Sequence, residues 1–274
     1  MAPRRFIAKF YGARLVKEIF FFVSFASAAR HNRHVIGAFL NALGILLGAV
    51  FGLASWPGPW SARAQNQIKS LLGAFTALCG WQLLWLNVGG SFVFVLKQLL
   101  LAALALVLGN LLGKILGLQK FSNWLGRRAA TLLAAAETSS PRSANGFIVA
   151  TILFCAAPLG VLGAVTDGLS DYFYPLALKA VMDGLATMSF VKIFRWPVAL
   201  AAASVFFFLN DIALAVHLFA LPWLEAHHAL HAVNVAAGLV ICVMTLVVLE
   251  VRRVELANYL PALVVAPILT RWFA

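Results

Sequence analysis

Leu99-Leu-Leu-Ala-Ala-Leu-Ala-Leu-Val-Leu-Gly-Asn-Leu-Leu-Gly113 holds no charged residue and only one strongly polar side chain. A helix of this composition has no polar face to turn toward water, so its natural solvent is hydrocarbon. The apolar run extends over residues 92–117, which exceeds the roughly 20 residues needed to cross a bilayer. Comparable runs lie at 35–54, 68–87, 146–165, 175–194, 197–221 and 229–249. A shorter segment, 258–273, contains Pro261 and Pro267 and reads as a short eighth span or a re-entrant element. With 63% hydrophobic and 11% charged residues in 274, the chain lacks the polar surface that a soluble fold of this size requires. The short alternating segments of a transmembrane barrel are absent. The expected fold is all-α, a polytopic transmembrane helical bundle of seven or eight spans.

Charge gives the bundle a direction. The net charge of +12 sits between the apolar runs, where basic residues set topology and contact phospholipid, so a lipid bilayer is the expected partner and nucleic acid is not. Arg127 and Arg128, then Lys192 and Arg195, then Arg252 and Arg253 fall on one side of the predicted spans. The intervening loops near 167–171 and 225–231 carry no Lys or Arg, which makes the basic side cytoplasmic. Counting backwards places the residues before Val35 outside. Yet the arm 1–34 carries Arg4, Arg5, Lys9, Arg14, Lys17, Arg30 and Arg33. An extra membrane or interfacial helix at Ile19–Ala29 would keep residues 1–17 inside. The basic start lacks an apolar core followed by a small-residue cleavage site, so no cleaved signal is expected.

Four segments follow: the basic arm 1–34, a first helix group 35–117, a cytoplasmic linker 118–145 and a second helix group 146–274. Phe121, Trp124, Leu125 and Leu132 with Lys120, Arg127 and Arg128 predict an amphipathic interfacial helix in the linker. Gly44, Gly48 and Gly52 repeat at four-residue spacing, as do Gly109, Gly113 and Gly117. Such stripes let helix backbones approach closely and are compatible with a homo-oligomer without fixing its number.

Lys179-Ala-Val-Met-Asp183 sets two opposite charges on one helix face inside a membrane run. A charge at the bilayer centre costs at least about 2.5–3.5 kcal/mol, which marks ionisable residues there as candidate function. The alternative is a structural ion pair. Asp211, beside Asn210, is a second deep acid, with His217 in the same span. Asn41 and Asn110 accompany the two glycine stripes as further polar candidates. Pro158 breaks the fourth span in Cys155-Ala-Ala-Pro-Leu-Gly-Val-Leu-Gly163; broken helices near the midplane offer backbone dipoles to substrates. Asp167 lies at the outer end, as an entry funnel for cations or a turn.

Cys79, Cys155 and Cys242 lie inside apolar runs and read as packing residues. His227, His228 and His231 with Glu225 sit at a span boundary and read as a helix start rather than a metal site. No Walker-type, His-Glu-x-x-His or serine-elbow motif is present, so no enzyme, cofactor or metal is expected.

Three blocks in order, Phe154–Gly168, Lys179–Gly184 and Asn258–Leu263, with Asn41–Gly48 before them, resemble the YqgA/YdfK-type family of bacterial inner-membrane proteins. The resemblance covers residues 35–274 and implies a multi-pass transporter or channel with the middle linker inside. The basic arm departs from the family's usual start. Members often carry Gln-Gly near where this chain has Leu209-Asn210, so Asn210 or Asp211 takes over that glutamine's part or the selectivity differs. The combined expectation is a transporter or channel for a small ion or solute, linked to a cation or proton, with a midplane site at Asp183 and Lys179. The rival expectation is a non-transporting scaffold or regulatory subunit whose basic arm binds lipid or a partner.

Overall fold

The Leu99–Gly113 run lies within a 24-residue helix in the computed structural model, which describes residues 35–54, 61–138 and 142–273. The basic arm and the element expected at Ile19–Ala29 lie outside the described residues. Eleven α-helices follow in order among the described residues: α1 (Ile36–Leu53), α2 (Ala62–Asn87), α3 (Phe92–Ile115), α4 (Leu118–Thr138), α5 (Arg142–Ala156), α6 (Pro158–Ser170), α7 (Tyr174–Phe194), α8 (Ala201–Ala215), α9 (Leu221–Ala226), α10 (Leu230–Val248) and α11 (Ala262–Phe273). Tight 3-10 turns at Trp196–Leu200 and Leu256–Tyr259 precede α8 and α11, and a π-helical turn at Val216–Ala220 joins α8 to α9.

Local chemistry sets the ends. Ser61 and Ser91 cap α2 and α3, each hydroxyl accepting from the backbone N–H three residues on, Ala64 at 3.2 Å and Phe94 at 3.4 Å. Pro158 opens α6 and Pro175 lies in the first turn of α7, positions where a missing N–H costs nothing. Asp171 and Arg195 end α6 and α7 in left-handed conformations. Gly117, also left-handed at φ 68°, ends α3. It therefore terminates a helix and takes no part in the packing stripe expected of it.

Among the described residues five stretches are long and apolar enough to cross a membrane, or six with the bent pair α5–α6 counted as one. That is slightly fewer than the seven or eight expected. The difference lies with α2 and α7, which are long enough at 26 and 21 residues. The polar start of α2 and the Lys179/Asp183 pair in α7 lower their hydropathy. The expected break at Pro158 is present, as a 59° bend between α5 and α6.

Helices from early in the chain pair with helices from late in it: α1 with α7, α2 with α10, α3 with α11. Glycine makes each contact. A Cβ at Gly44 would strike the Ala180 carbonyl and one at Gly48 the Gly184 carbonyl, while Gly52 meets the Met188 backbone. Both numberings rise together, so α1 and α7 run parallel. Gly73 meets Leu249 and Gly80 meets Cys242, making α2 and α10 antiparallel; Gly109 meets Ala262 and Gly113 meets Asn258, making α3 and the α11 segment antiparallel. The apolar core divides accordingly. One cluster joins α1, α5, α7 and α8, and a second joins α2, α6, α10 and α11.

Candidate functional site

Asn41 on α1 and Asp183 on α7 meet because the glycine stripes bring those two helices to backbone contact. Asn41 Nδ2 donates to Asp183 Oδ2 at 3.1 Å. The Lys179 ammonium, one turn earlier on α7, pairs with the same Oδ2. The Thr187 hydroxyl, one turn later, donates to the Asp183 carbonyl at 2.7 Å. Both donors to the carboxylate engage Oδ2. Among the described residues this leaves the buried Oδ1 of Asn41 as an uncommitted acceptor beside the Asp183 carboxylate.

The broken span closes the other side. Lys179 Nζ lies 5.7 Å from the centre of the Phe154 ring, in the last turn of α5. A cation over a desolvated aromatic face gains roughly 2 kcal/mol, and the C-terminal dipole of α5 adds attraction of the same sign. A Cβ on Gly160 would come within 2.9 Å of Lys179 Cε, so the lysine stem fills the space that glycine leaves in the first turns of α6. Pro158 thus acts by position: it ends α5 at Phe154's turn and starts α6 beside Lys179. The pair is sealed, with Lys179 1% and Asp183 7% exposed.

Asp167 belongs to a different task. It is fully buried, and its Oδ2 accepts from the backbone N–H of Gly37 at 3.1 Å, in the first turn of α1. A carboxylate there satisfies an orphan donor and the positive helix end. Its place is inside the bundle, one turn from Asn41 along α1. The α8 residues are not brought to the cluster: Asn210 is half-buried and Asp211 is exposed. Asn110 lies elsewhere too, in a cavity of about 330 Å³ shared with Lys114, Arg252 and Arg253. Of the sequence candidates, Asn41, Lys179 and Asp183 therefore converge, Pro158 shapes their surroundings, and Asp167 holds α1 in place.

A model of the family described as "Protein of unknown function (DUF554)" matches residues 36–271. The chain belongs to this family. Two DUF554-like relatives fit the resemblance read from the sequence. "Uncharacterized protein YqgA" of Escherichia coli (strain K12) is 26% identical over 246 residues, which is 88% of this chain and 100% of that protein. "Uncharacterized membrane protein YdfK" of Bacillus subtilis (strain 168) is 27% identical over 175 residues, covering 63% of this chain and 70% of that one. No solved structure matches the chain. The Bacillus relative is described as a membrane protein, which agrees with the helices of this chain that are long and apolar enough to span.

Within this family member, sequence reasoning missed three polar contacts. Tyr172 donates to the Cys79 carbonyl at 2.6 Å. The Asn234 amide, in the second turn of α10, donates to Asn87 Oδ1 at 2.9 Å and to Ser170 at 2.8 Å. Gln119 at the start of α4 is tied to Asn258 and Ala257. Asn234 carried a readable signal, an amide inside an apolar run; its partners are remote in sequence and carried none.

Proposed function

We propose that the protein is a membrane transporter or channel for a small ion or solute, linked to a cation or proton, with Asp183 as the exchanging group. The observation behind this is the buried Lys179–Asp183–Asn41 cluster beside a helix broken in mid-span. Ionisable groups inside membrane segments mark ion pathways as a rule. The uncommitted Asn41 oxygen and the Asp183 carboxylate beside it are hard ligands suited to a small cation. Asp183 can neutralise the Lys179 ammonium or a bound cation. When a cation or proton takes the carboxylate, it displaces the Lys179 ammonium from Asp183, so one positive charge replaces another at that oxygen. Opening would follow from movement at the α5–α6 bend, because Lys179 rests on both of its arms.

The reading includes a bacterial inner-membrane location, with the basic loops and α4 on the cytoplasmic side. It also includes a homo-oligomer. Asp211 stands at the midpoint of the 31-residue apolar stretch Trp196–Ala226 and is exposed there, and a second copy would keep it from hydrocarbon. In proteoliposomes, Asp183→Asn is expected to abolish cation-dependent proton flux per folded molecule, at a lowered melting temperature because Lys179 is left without its counter-charge. Flux that falls only in proportion to the folded protein would refute the transport reading. The rival, a scaffold or regulatory subunit, is favoured by the seal around Lys179. It predicts wild-type vesicles with no flux of any monovalent cation or proton.

A further inference from the structure

A second concentration of polar groups lies away from Asp183. A cavity of about 360 Å³ sits between α3, α10 and α11, within the ~300–1,000 Å³ range of small-molecule sites. Its lining is ordered by depth. Lys97 lies one turn before Leu101 on α3, and His231 lies one turn before Val235 on α10; Thr270 lies one turn after Ala266 on the opposed α11. Gly109 against Ala262 and Gly113 against Asn258 set the antiparallel register, which puts Thr270 beside Leu101, Ala266 a turn deeper and Lys97 a turn nearer the mouth. The cavity therefore has a polar rim over a hydrocarbon floor.

The rim carries Lys97, Gln98, His228 and His231 and no carboxylate, while the Thr270 hydroxyl donates to the Ala266 carbonyl at 3.0 Å. Lys97 is exposed and has no acidic partner among the described residues. Gln98 uses its Oε1 to accept from Gly89 at 3.4 Å, which leaves its amide N–H groups for a guest. His228 is held at the mouth by a left-handed turn, φ 52°, between α9 and α10.

A rim of donors above an apolar floor, in a chain surrounded by lipid, selects a molecule with an anionic head and a hydrocarbon tail. We propose that this cavity binds an anionic amphiphile, its carboxylate or phosphate at Lys97 and His231 and its first methylenes against Leu101, Val235 and Ala266. The site stands independently of Asp183. A long-chain fatty acid and a phosphate-headed lipid share this chemistry.

The test uses the full chain in a neutral detergent, with cis-parinaric acid as the fluorescent probe. Oleate, 1-oleoyl lysophosphatidate and oleyl alcohol then compete for it. One or both anions should displace the probe at least tenfold better than the alcohol, and the stronger anion identifies the head. Lys97→Ala should remove that preference while leaving the alcohol unchanged, and Lys97→Arg should retain it. Ala266→Phe should abolish saturable displacement by filling the floor. If the alcohol competes as well as the anions, or if Lys97→Ala binds like the native chain, the proposal is overturned. Lys97 is exposed, so its variants decide the matter even where Ala266→Phe does not fold.

Discussion

Lys179 and Asp183 form one unit, and removing half of it is worse than removing both. Stripping one partner from a buried ion pair leaves an uncompensated charge and costs about 3–5 kcal/mol, whereas an apolar pair of similar volume is often neutral. Asp183→Leu and Lys179→Leu should each lower the melting temperature in detergent, and the double substitution should recover most of it. If the pair serves transport, the recovered double variant remains inactive. The pairing itself was legible in the i,i+4 spacing. Asn41 as its third member was not, because 142 residues separate the two. Asp167 misled in the other direction: it was read as an outer funnel or turn, and it holds the start of α1 from inside the bundle. Its loss in Asp167→Ala should cost about 0.5–2 kcal/mol, the ordinary range for a helix cap, measurable by thermal unfolding. Asp211 shows the general difficulty. In a helix apolar all round, periodicity does not reveal which face looks inward, since lipid makes no demand for polarity on the other.

The contact between α1 and α7 rests on backbone meeting backbone. Gly48 faces a carbonyl of Gly184, and Gly184 in turn faces that of Gly44 at 2.7 Å from its would-be Cβ. A side chain there has no flexible neighbour to push aside. Gly48→Leu should therefore exceed the ~1–3 kcal/mol typical of overpacking, lowering folded yield in a detergent melt. At Gly126, where a Cβ would meet open space, an alanine should change little. The four-residue glycine spacing announced close packing in both stripes, but not the partners. Nor did it separate Gly113, which touches the Asn258 backbone, from Gly117, which only ends its helix. Those distinctions depend on the positive φ that the chain adopts at a turn.

Across the molecule, the antiparallel register of α2 with α10 puts the Lys69–Glu250 pair, 2.7 Å apart, at one end and the Asn87–Asn234 bond at the other. Arg253 lies beyond the first of these ends of α10 and His228 beyond the second. Single cysteines at Arg253 and His228 should accordingly react with an impermeant maleimide from opposite faces of sealed vesicles. A cysteine at position 211 should form a disulfide-linked dimer if a second copy covers that face, and stay monomeric otherwise. The helical class and the bent span were visible in composition and in Pro158. The pairing of early helices with late ones was not, because hydrophobicity gives each run a solvent without giving it a neighbour.

That pairing has a consequence for the order in which the chain is made. Asn41 finds Asp183 only after 142 further residues have been added, about 7–28 seconds at common synthesis rates of about 5–20 residues per second. For that interval α1 carries its bare glycine face and an unanswered amide into the bilayer. The nascent first helix is thus a waiting surface, and any factor that shelters newborn membrane segments would meet it there.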